Sequence, residues 1–300
     1  MKRFFILIPI LFLIEFINGQ GCSDAGFCSI HSFKPGGVKE EKTKLNSIKA
    51  GVFYGQASHS INATGNYLEY NRTTKNKLDL GLKLTSMYQS GNNISAAGIG
   101  DLFLSTAYPV SEKTQMTLGF KISLSDGNKK KNGLPLPMDY QASLGTFDLI
   151  FGIGYVVKKI QLVAAIQQPL SQNKNTFFAE DYPMSSVLRT FPSTNNFKRS
   201  GDILLRASYP IEAGKKVIIT PGILPIYHLA NDKYTDKMGM EKEITGSQGL
   251  TFNTNIFLDF LINENNILQL NAGGPIIDRD VKPEGLGRRF VITLEYKIRF

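Results

Sequence analysis

The last eleven residues of the chain alternate strictly between apolar side chains and mostly charged ones. The apolar positions are Phe290, Ile292, Leu294, Tyr296, Ile298 and Phe300. A period of two is that of a β-strand, whose successive side chains point to opposite faces. In a soluble sandwich the apolar face would pack on a core, whereas in a membrane barrel it would contact lipid and the charged face a wet lumen. The aromatic terminus is typical of the strand that the outer-membrane assembly machinery recognises, so we expect that machinery as a partner.

The same alternation recurs upstream, at 78–85, 116–124 and 252–260. One face of each segment is apolar, and the other carries mostly Gly, Thr, Ser, Asn and single charges. Lys83 and Lys121 lie in the middle of such segments. A lysine there is costly if it faces lipid but not if it faces a water-filled lumen. The pattern therefore favours a barrel with an apolar outer surface over a sandwich with a dry core.

Connections of two lengths separate the alternating segments. Short polar turns, which we assign to the periplasm, alternate with longer outer loops, as in a bacterial outer-membrane barrel. We therefore predict an all-β fold, a transmembrane antiparallel up-and-down β-barrel of about twelve strands, with both termini in the periplasm. The predicted strands are 46–57, 63–71, 77–88, 99–109, 114–125, 145–157, 160–169, 201–210, 215–228, 250–262, 266–274 and 288–300. The predicted turns are 72–76, 110–113, 158–159, 211–214 and 263–265, and the predicted loops are 58–62, 89–98, 126–144, 170–200, 229–249 and 275–287.

An internal repeat places aromatic residues at the end of the even-numbered strands. Residues 100–110 and 201–211 align closely, and 148–157 keeps the same spacing between Asp and Tyr. An odd separation puts Asp and Tyr on opposite faces of a strand. The aromatic residues then point outward as an interfacial girdle, where amphipathic rings are favoured at headgroup depth. The predicted girdle is Tyr70, Tyr108, Tyr155, Tyr209, Phe260 and Phe300.

The opposite face of the strands supplies the candidate lumen residues. They are Asp79, Lys83, Asp101, Lys121, Asp148, Asp202, Arg206, Asp259, Glu295 and Lys297. Two interpretations remain open. The charges could set the selectivity of a pore, or they could form ion pairs and cap strand ends inside a closed barrel.

The N-terminus has the features of a secretory signal peptide, which we place at 1–19. It has a basic start at Lys2 and Arg3, an apolar run too short to cross a bilayer as a helix, and a small residue at Gly19. The alternative is a lipoprotein anchored at Cys22. Residues 20–45 form a predicted periplasmic N-terminal segment, either a tether that could dock a periplasmic partner or a plug, and 46–300 form the barrel. Cys22 and Cys28 suit a small disulfide loop in an oxidising compartment.

The formal net charge of +9 would also be compatible with nucleic-acid binding. An exported protein rarely meets nucleic acid, and many of the lysines lie in predicted turns, so we predict no nucleic-acid partner. Acidic lipopolysaccharide near basic loops is a second interpretation of the charge. Together with the barrel pattern, the signal peptide predicts a location in the outer membrane of a Gram-negative bacterium, with its lipid and lipopolysaccharide as partners.

Three segments resemble one known family: Gly98 to Leu102, Lys121 to Gly127, and Gly145 to Tyr155. The family comprises outer-membrane barrels associated with the meta-pathway of phenol degradation, distantly similar to long-chain fatty-acid transporters. Phe147 stands where that family usually has a glycine. The resemblance implies a barrel that passes small hydrophobic or aromatic molecules.

We find little that predicts catalysis. His59 with Ser60, and His228 with Asp232, lack the supporting spacing of a hydrolase site. We therefore predict no enzyme activity, no cofactor and no metal site. The predicted function is a channel or transporter for small solutes, hydrophobic ones included. The alternative is a closed structural or partner-binding barrel without transport.

Overall fold

The structure, a computed structural model, describes residues 29–36, 44–285 and 287–300. Its main sheet of thirteen strand segments closes on itself, because the first strand pairs with the last. Two of these segments, Asp202–Ser208 and Ile211–Glu212, are parts of one strand interrupted at Tyr209 and Pro210. The described chain is therefore a closed antiparallel barrel of twelve strands, as the sequence predicts.

Each strand pairs with its sequence neighbours, and the loops add short elements. The barrel strands are β1 (Asn46–Ala57), β2 (Asn62–Thr73), β3 (Asp79–Gly91), β4 (Ile94–Pro109), β5 (Thr114–Ser123), β6 (Phe147–Val157), β7 (Ile160–Pro169), β8 (Asp202–Ser208, continued by Ile211–Glu212), β9 (Val217–His228), β10 (Gly249–Leu261), β11 (Asn266–Ile277) and β12 (Arg288–Arg299). The loops contain two hairpins, Lys130–Lys131 with Leu134–Pro135 and Lys233–Thr235 with Glu241–Glu243, and the 3-10 helices His31–Phe33, Ser58–Ser60, Met138–Tyr140, Ala179–Asp181 and Val187–Thr190. Within the described ranges, no helix is long and apolar enough to cross a membrane.

One predicted loop is wrong. The sequence predicts a long connection over 89–98, but β3 and β4 extend until only Asn92 and Asn93 separate them. Both residues have positive φ, at 53° and 58°. Two-residue hairpin turns of this kind match the twist of the strands, and Asn tolerates the left-handed conformation they require. The outer end of this hairpin is therefore tight.

The outer surface of the barrel is apolar along its middle and aromatic near both ends. Leu80, Leu82 and Leu84 are each more than 40 % exposed, as expected for side chains that contact lipid rather than a core. All six predicted girdle residues are exposed on the outer surface, near the end with short turns. A second set of exposed rings, which the sequence analysis missed, lies towards the opposite end. It consists of Tyr54, Tyr88 and Tyr227.

The interior of the barrel is occupied by chain segments from outside the wall. Residues 29–36 lie inside the half nearer the short turns. At the other end, loops 124–146 and 170–201 pack against inward wall residues such as Ala57 and Ala96. The sequence left two placements open for residues 20–45. Of these, the described residues 29–36 lie inside the barrel, and the division of the chain at 19 and 45 stays a prediction. The predicted signal peptide, Cys22 and Cys28 lie outside the described residues.

Candidate functional site: the occupied lumen

Residues 29–36, called the plug below, lie against the inner faces of strands β5–β9. The Ile30 and Phe33 side chains are each only 1 % exposed. Both pack into one buried apolar cluster with inward residues of the wall. The wall residues are Ile150, Val163, Ala165, Leu204, Leu224 and Ile226. The inner wall around Ile30 and Phe33 is therefore an apolar patch, although charged residues such as Lys121 and Arg206 lie on the same strands.

Two glycines of the wall provide the space that the plug fills. A Cβ atom added at Gly119 would overlap the Ile30 side chain. One added at Gly152 would lie 2.7 Å from both the Phe33 ring and the Ala165 Cβ. That distance is well inside van der Waals contact, so neither position can carry a side chain while the plug is in place. Gly119 and Gly152 thus leave a recess in the wall into which the Ile30 and Phe33 side chains fit.

Two hydrogen bonds fix the middle of the plug to the wall. The Thr117 hydroxyl on β5 donates to the Ser32 hydroxyl at 2.9 Å. The Arg206 guanidinium on β8 donates to the Phe33 carbonyl oxygen at 2.5 Å. Both bonds are buried, where an unsatisfied partner would cost about 1–3 kcal/mol. The plug is thus held to the wall by hydrogen bonds of its polar groups, in addition to the packing of its apolar side chains.

An ionic cluster holds the other side of the plug. The Lys34 ammonium is ion-paired with the Glu295 carboxylate on β12. The Lys49 Nζ atom on β1 lies 3.2 Å from the other Glu295 oxygen and 3.6 Å from Glu69. The His31 ring is 4.0 Å from the same Glu69 carboxylate. The plug is therefore amphipathic, and the two halves of the lumen match its two sides.

A second buried ion pair lies above the plug, between β5 and β6. The Lys121 Nζ atom is 3.0 Å from the Asp148 carboxylate and 2.9 Å from the Thr146 hydroxyl. The Gln167 amide donates to the same carboxylate at 2.5 Å. Asp148 has no exposed surface. A charge without solvent is stable only when it is paired and hydrogen-bonded in this way.

A chain of alternating charges lies at the outer end of the lumen, where β8 begins and β9 ends. Arg199 is ion-paired with Asp202, which also lies 2.7 Å from the His228 Nδ1 atom. The His228 Nε2 atom is 2.8 Å from the Asp232 carboxylate. Both ring nitrogens are thus occupied by carboxylates, so the His228–Asp232 pair ties a loop to the barrel wall.

Two buried loop residues at this end are kept ionised by their neighbours. Burial alone would lower the pKa of the Arg199 guanidinium, but the carboxylates of Asp202 and Asp148 outweigh burial and raise that pKa. Burial alone would raise the pKa of the Glu284 carboxyl, but the positive charge of its ion-pair partner Arg279 holds that pKa below its ordinary value. Arg199 therefore ties its loop to the start of β8, and the Arg279–Glu284 pair fixes the loop between β11 and β12.

The remaining predicted lumen residues also lie on the inner side of the wall. The hydrogen-bonded pairs are Asp79 with Thr73, Asp101 with Ser143, and Asp259 with Gln269. The Lys83 Nζ atom lies 3.9 Å from the centroid of the Tyr67 ring, within cation–π distance. Lys297 is buried. Each of these groups is thus placed where a closed barrel can accommodate it.

Sequence reasoning missed two members of the ionic cluster, Lys49 and Glu69. The signal was present, because Lys49 alternates with Ile48 and Ala50, and Glu69 alternates with Leu68. Exposed Ile48 and Leu68 and buried Lys49 and Glu69 follow this parity. The period of two would have assigned both charges to the inner face.

Replacing Gly152 by Val is expected to displace the plug. Overpacking of this kind costs about 1–3 kcal/mol, which corresponds to roughly a 5- to 150-fold decrease in plug occupancy. The measurement is maleimide labelling of a Ser32→Cys reporter in a background with Cys22→Ser and Cys28→Ser. Ile153→Val, which changes an outward side chain of the same strand, is the matched control and should leave labelling low. Equal labelling of the two variants would contradict the packing described here.

Comparisons with known proteins concern the general fold. No family model matches the chain, and no curated protein matches it. Among solved structures, the KdgM porin superposes with a TM-score of 0.43 at 8 % identity, over 85 % of this chain and 99 % of that one. The NanC porin gives a TM-score of 0.46 at 7 % identity, over 84 % and 98 %. The CymD monoaromatic hydrocarbon channel gives 0.44 at 9 % identity, over 95 % and 98 %. The closed barrel of twelve antiparallel strands itself identifies the chain as a transmembrane β-barrel of the outer-membrane type.

Proposed function

We propose that the protein is an outer-membrane channel or transporter for small solutes, held closed by its plug and outer loops. The observation that carries this proposal is the nature of the filling. A barrel of about eight strands is filled by its own wall side chains. This wider barrel is instead filled by tethered segments held by non-covalent contacts, which can leave without breaking the wall. A displaceable filling is what a gated passage requires.

The finer proposal is that the solutes include hydrophobic or aromatic molecules. The apolar patch at Ile150, Leu204 and Leu224 supports this, because it offers a surface for an apolar solute once Phe33 has left. The resemblance of residues 98–102, 121–127 and 145–155 to the barrels associated with phenol degradation points the same way. The charged residues on the opposite wall, including Lys49, Glu69 and Glu295, would then orient polar groups of the solute.

A disulfide lock tests the proposal. The Ser32 and Thr117 hydroxyls are 2.9 Å apart, so Ser32→Cys with Thr117→Cys in a background lacking Cys22 and Cys28 should tie the plug to β5. We expect Gram-negative cells producing the unlocked protein to take up radiolabelled toluene faster than cells without it. The locked variant should lose this advantage, and a reductant should restore it. Equal uptake by locked and unlocked protein would refute a passage controlled by the plug.

The second candidate is a closed barrel that docks a periplasmic component through its N-terminal segment. The dense interior favours it, because the plug and the loop residues pack tightly inside the barrel. Under this hypothesis the lock would leave uptake unchanged, and photo-cross-linkers placed at residues 22–40 would capture a periplasmic protein in intact cells. Lipid and lipopolysaccharide around the barrel, and the assembly machinery at the C-terminal strand, are partners under either proposal.

A further inference from the structure

The outer surface of the barrel has an apolar groove of about 440 Å³. It lies outside the lumen, so it plays no part in the proposed passage of solutes. It crosses β2–β5 in the half of the barrel nearer the short turns. Its volume lies within the range of small-molecule sites, about 300–1,000 Å³. Leucine and phenylalanine make up half of the residues that line it. Because the groove opens outward from a membrane-spanning wall, its occupant must come from the membrane.

The cause of the groove is one short side chain among long ones. Leu80, Thr106 and Leu118 are register neighbours across three strands. In the adjacent row, Leu82, Leu104 and Phe120 are register neighbours in the same way. Thr106 leaves a notch between the leucines on either side of it. The notch and the apolar row above it have the elongated, apolar shape of an acyl-chain site.

Positive charge gathers at the end of the groove nearest the headgroups. Arg72 lines the groove, is exposed, and is the register neighbour of Leu80. Lys75 and Lys77 are exposed in the turn that follows β2. The nearby acid Asp79 is instead hydrogen-bonded to Thr73. Juxtamembrane Lys and Arg attract anionic lipid, each by about 1 kcal/mol.

Thr106 adds a polar group at the same depth. Its hydroxyl oxygen is buried and has no hydrogen-bond partner among the residues that the structure describes. Buried hydroxyls in proteins almost always have a partner. Rotation of the Thr106 side chain about its Cα–Cβ bond would turn the hydroxyl towards the groove, where an ester carbonyl at the top of an acyl chain could accept from it. The apolar row, the hydroxyl and the cations thus follow the order of groups in a lipid molecule.

We propose that this groove is a binding site for one glycerophospholipid of the inner leaflet. The acyl chain lies on Leu82, Leu104 and Phe120, an ester carbonyl accepts from Thr106, and Arg72 with Lys75 and Lys77 binds the phosphate. Lipopolysaccharide is excluded as the occupant because the groove lies in the half of the barrel on the periplasmic side. The site is independent of the plug and of solute passage.

Native mass spectrometry tests this site with the full-length protein after reconstitution with phosphatidylglycerol vesicles and extraction in mild detergent. We expect one phospholipid to be retained per barrel. Filling the notch with Thr106→Leu or Thr106→Phe should reduce the retained fraction by about tenfold. Thr254→Phe, which enlarges a threonine of similar parity on β10, is the matched control and should retain the lipid. Heat-modifiable migration on gels verifies that each variant is folded.

The charge arm uses Arg72→Gln, Lys75→Gln and Lys77→Gln together. This variant should retain at least about tenfold less phosphatidylglycerol than the native protein. The control, Lys215→Gln with Lys216→Gln in another short turn, should retain as much as the native protein. Equal retention by the Thr106 variants and Thr254→Phe would overturn the proposal. A dimer that only the Thr106 variants disrupt would also overturn it, because the groove would then be a contact between copies of the chain.

Discussion

Removing the plug together with the core of the longest outer loop is expected to turn the closed barrel into an ion-conducting pore. The variant lacks residues 29–36 and has a short Gly-Ser linker in place of 174–196. We expect its conductance in planar bilayers to exceed that of the native protein by at least about tenfold. The reason is that the two fillings lie in series along the lumen. Each deletion alone should therefore leave conductance low.

The longest outer loop is the right target because it also holds its neighbour inside the barrel. Asn175 donates to the carbonyls of Gly127 and Leu136, at 2.8 and 3.1 Å. The Tyr182 hydroxyl donates to the Pro135 carbonyl at 2.5 Å. Without these bonds, loop 124–146 loses its packing partner and can leave the mouth.

The control for this experiment removes the tip 236–240 of the exposed hairpin, which fills no part of the lumen. Its conductance should equal that of the native protein. If the double deletion folds, as judged by heat-modifiable migration, and still seals the bilayer, the two-barrier description is wrong. A high conductance after deletion of the plug alone would place the whole barrier at the plug.

Breaking the Lys121–Asp148 pair from one side is expected to destabilise the barrel by about 3–5 kcal/mol. Both Asp148→Asn and Lys121→Met leave a buried charge without its partner, because neither side chain reaches solvent. The double variant Lys121→Met with Asp148→Leu should be more stable than either single variant, since it buries no charge. It should stay about 1–3 kcal/mol below the native protein, because the buried Gln167 amide loses its acceptor. The measurement is the free energy of unfolding by urea of the protein in lipid vesicles, with circular dichroism as the signal.

The exposed ion pair Lys159–Glu212 is the control for the buried one. Its charges lie 3.7 Å apart, its side chains are 60 % and 72 % exposed, and the control variants are Lys159→Met and Glu212→Leu. Neither change should shift unfolding measurably. If the double variant at positions 121 and 148 were as unstable as the single ones, the pair would be important for packing rather than charge. If instead the single variants were as stable as the native protein, the lumen would tolerate unpaired charge, as a wet pore does.

The strands could be predicted from sequence because each has one face in lipid and one inside, which leaves a pattern of period two. The bounds of β1 and β7 are those predicted, and most other ends differ by a few residues. The turn at Asn92 and Asn93 escaped prediction because the choice between a tight turn and a loop depends on backbone conformation rather than polarity.

The occupied lumen could be predicted only in part. The inward charges follow from parity, but their partners do not, because Lys34 and Glu295 are 261 positions apart. The sequence left a plug open as one of two placements, but the way it fits the wall could not be predicted. Residues 29–36 show no period of their own, and their fit depends on side chains that are missing at Gly119 and Gly152. A recess made by absent atoms leaves no apolar pattern in the sequence.

The junction between β1 and β12 constrains the order of folding. The Asn46 and Phe300 backbones exchange hydrogen bonds of 2.9 and 3.1 Å, so the cylinder cannot be sealed before the final residue is available. Such distant pairing is slow, because its loop-closure entropy is paid before its contacts form. The wall that receives Ile30 and Phe33 belongs to the middle of the chain and can assemble earlier. The N-terminal segment can therefore be seated on an open, curved sheet and become enclosed when the last ribbon docks, with no need to thread into a finished tube.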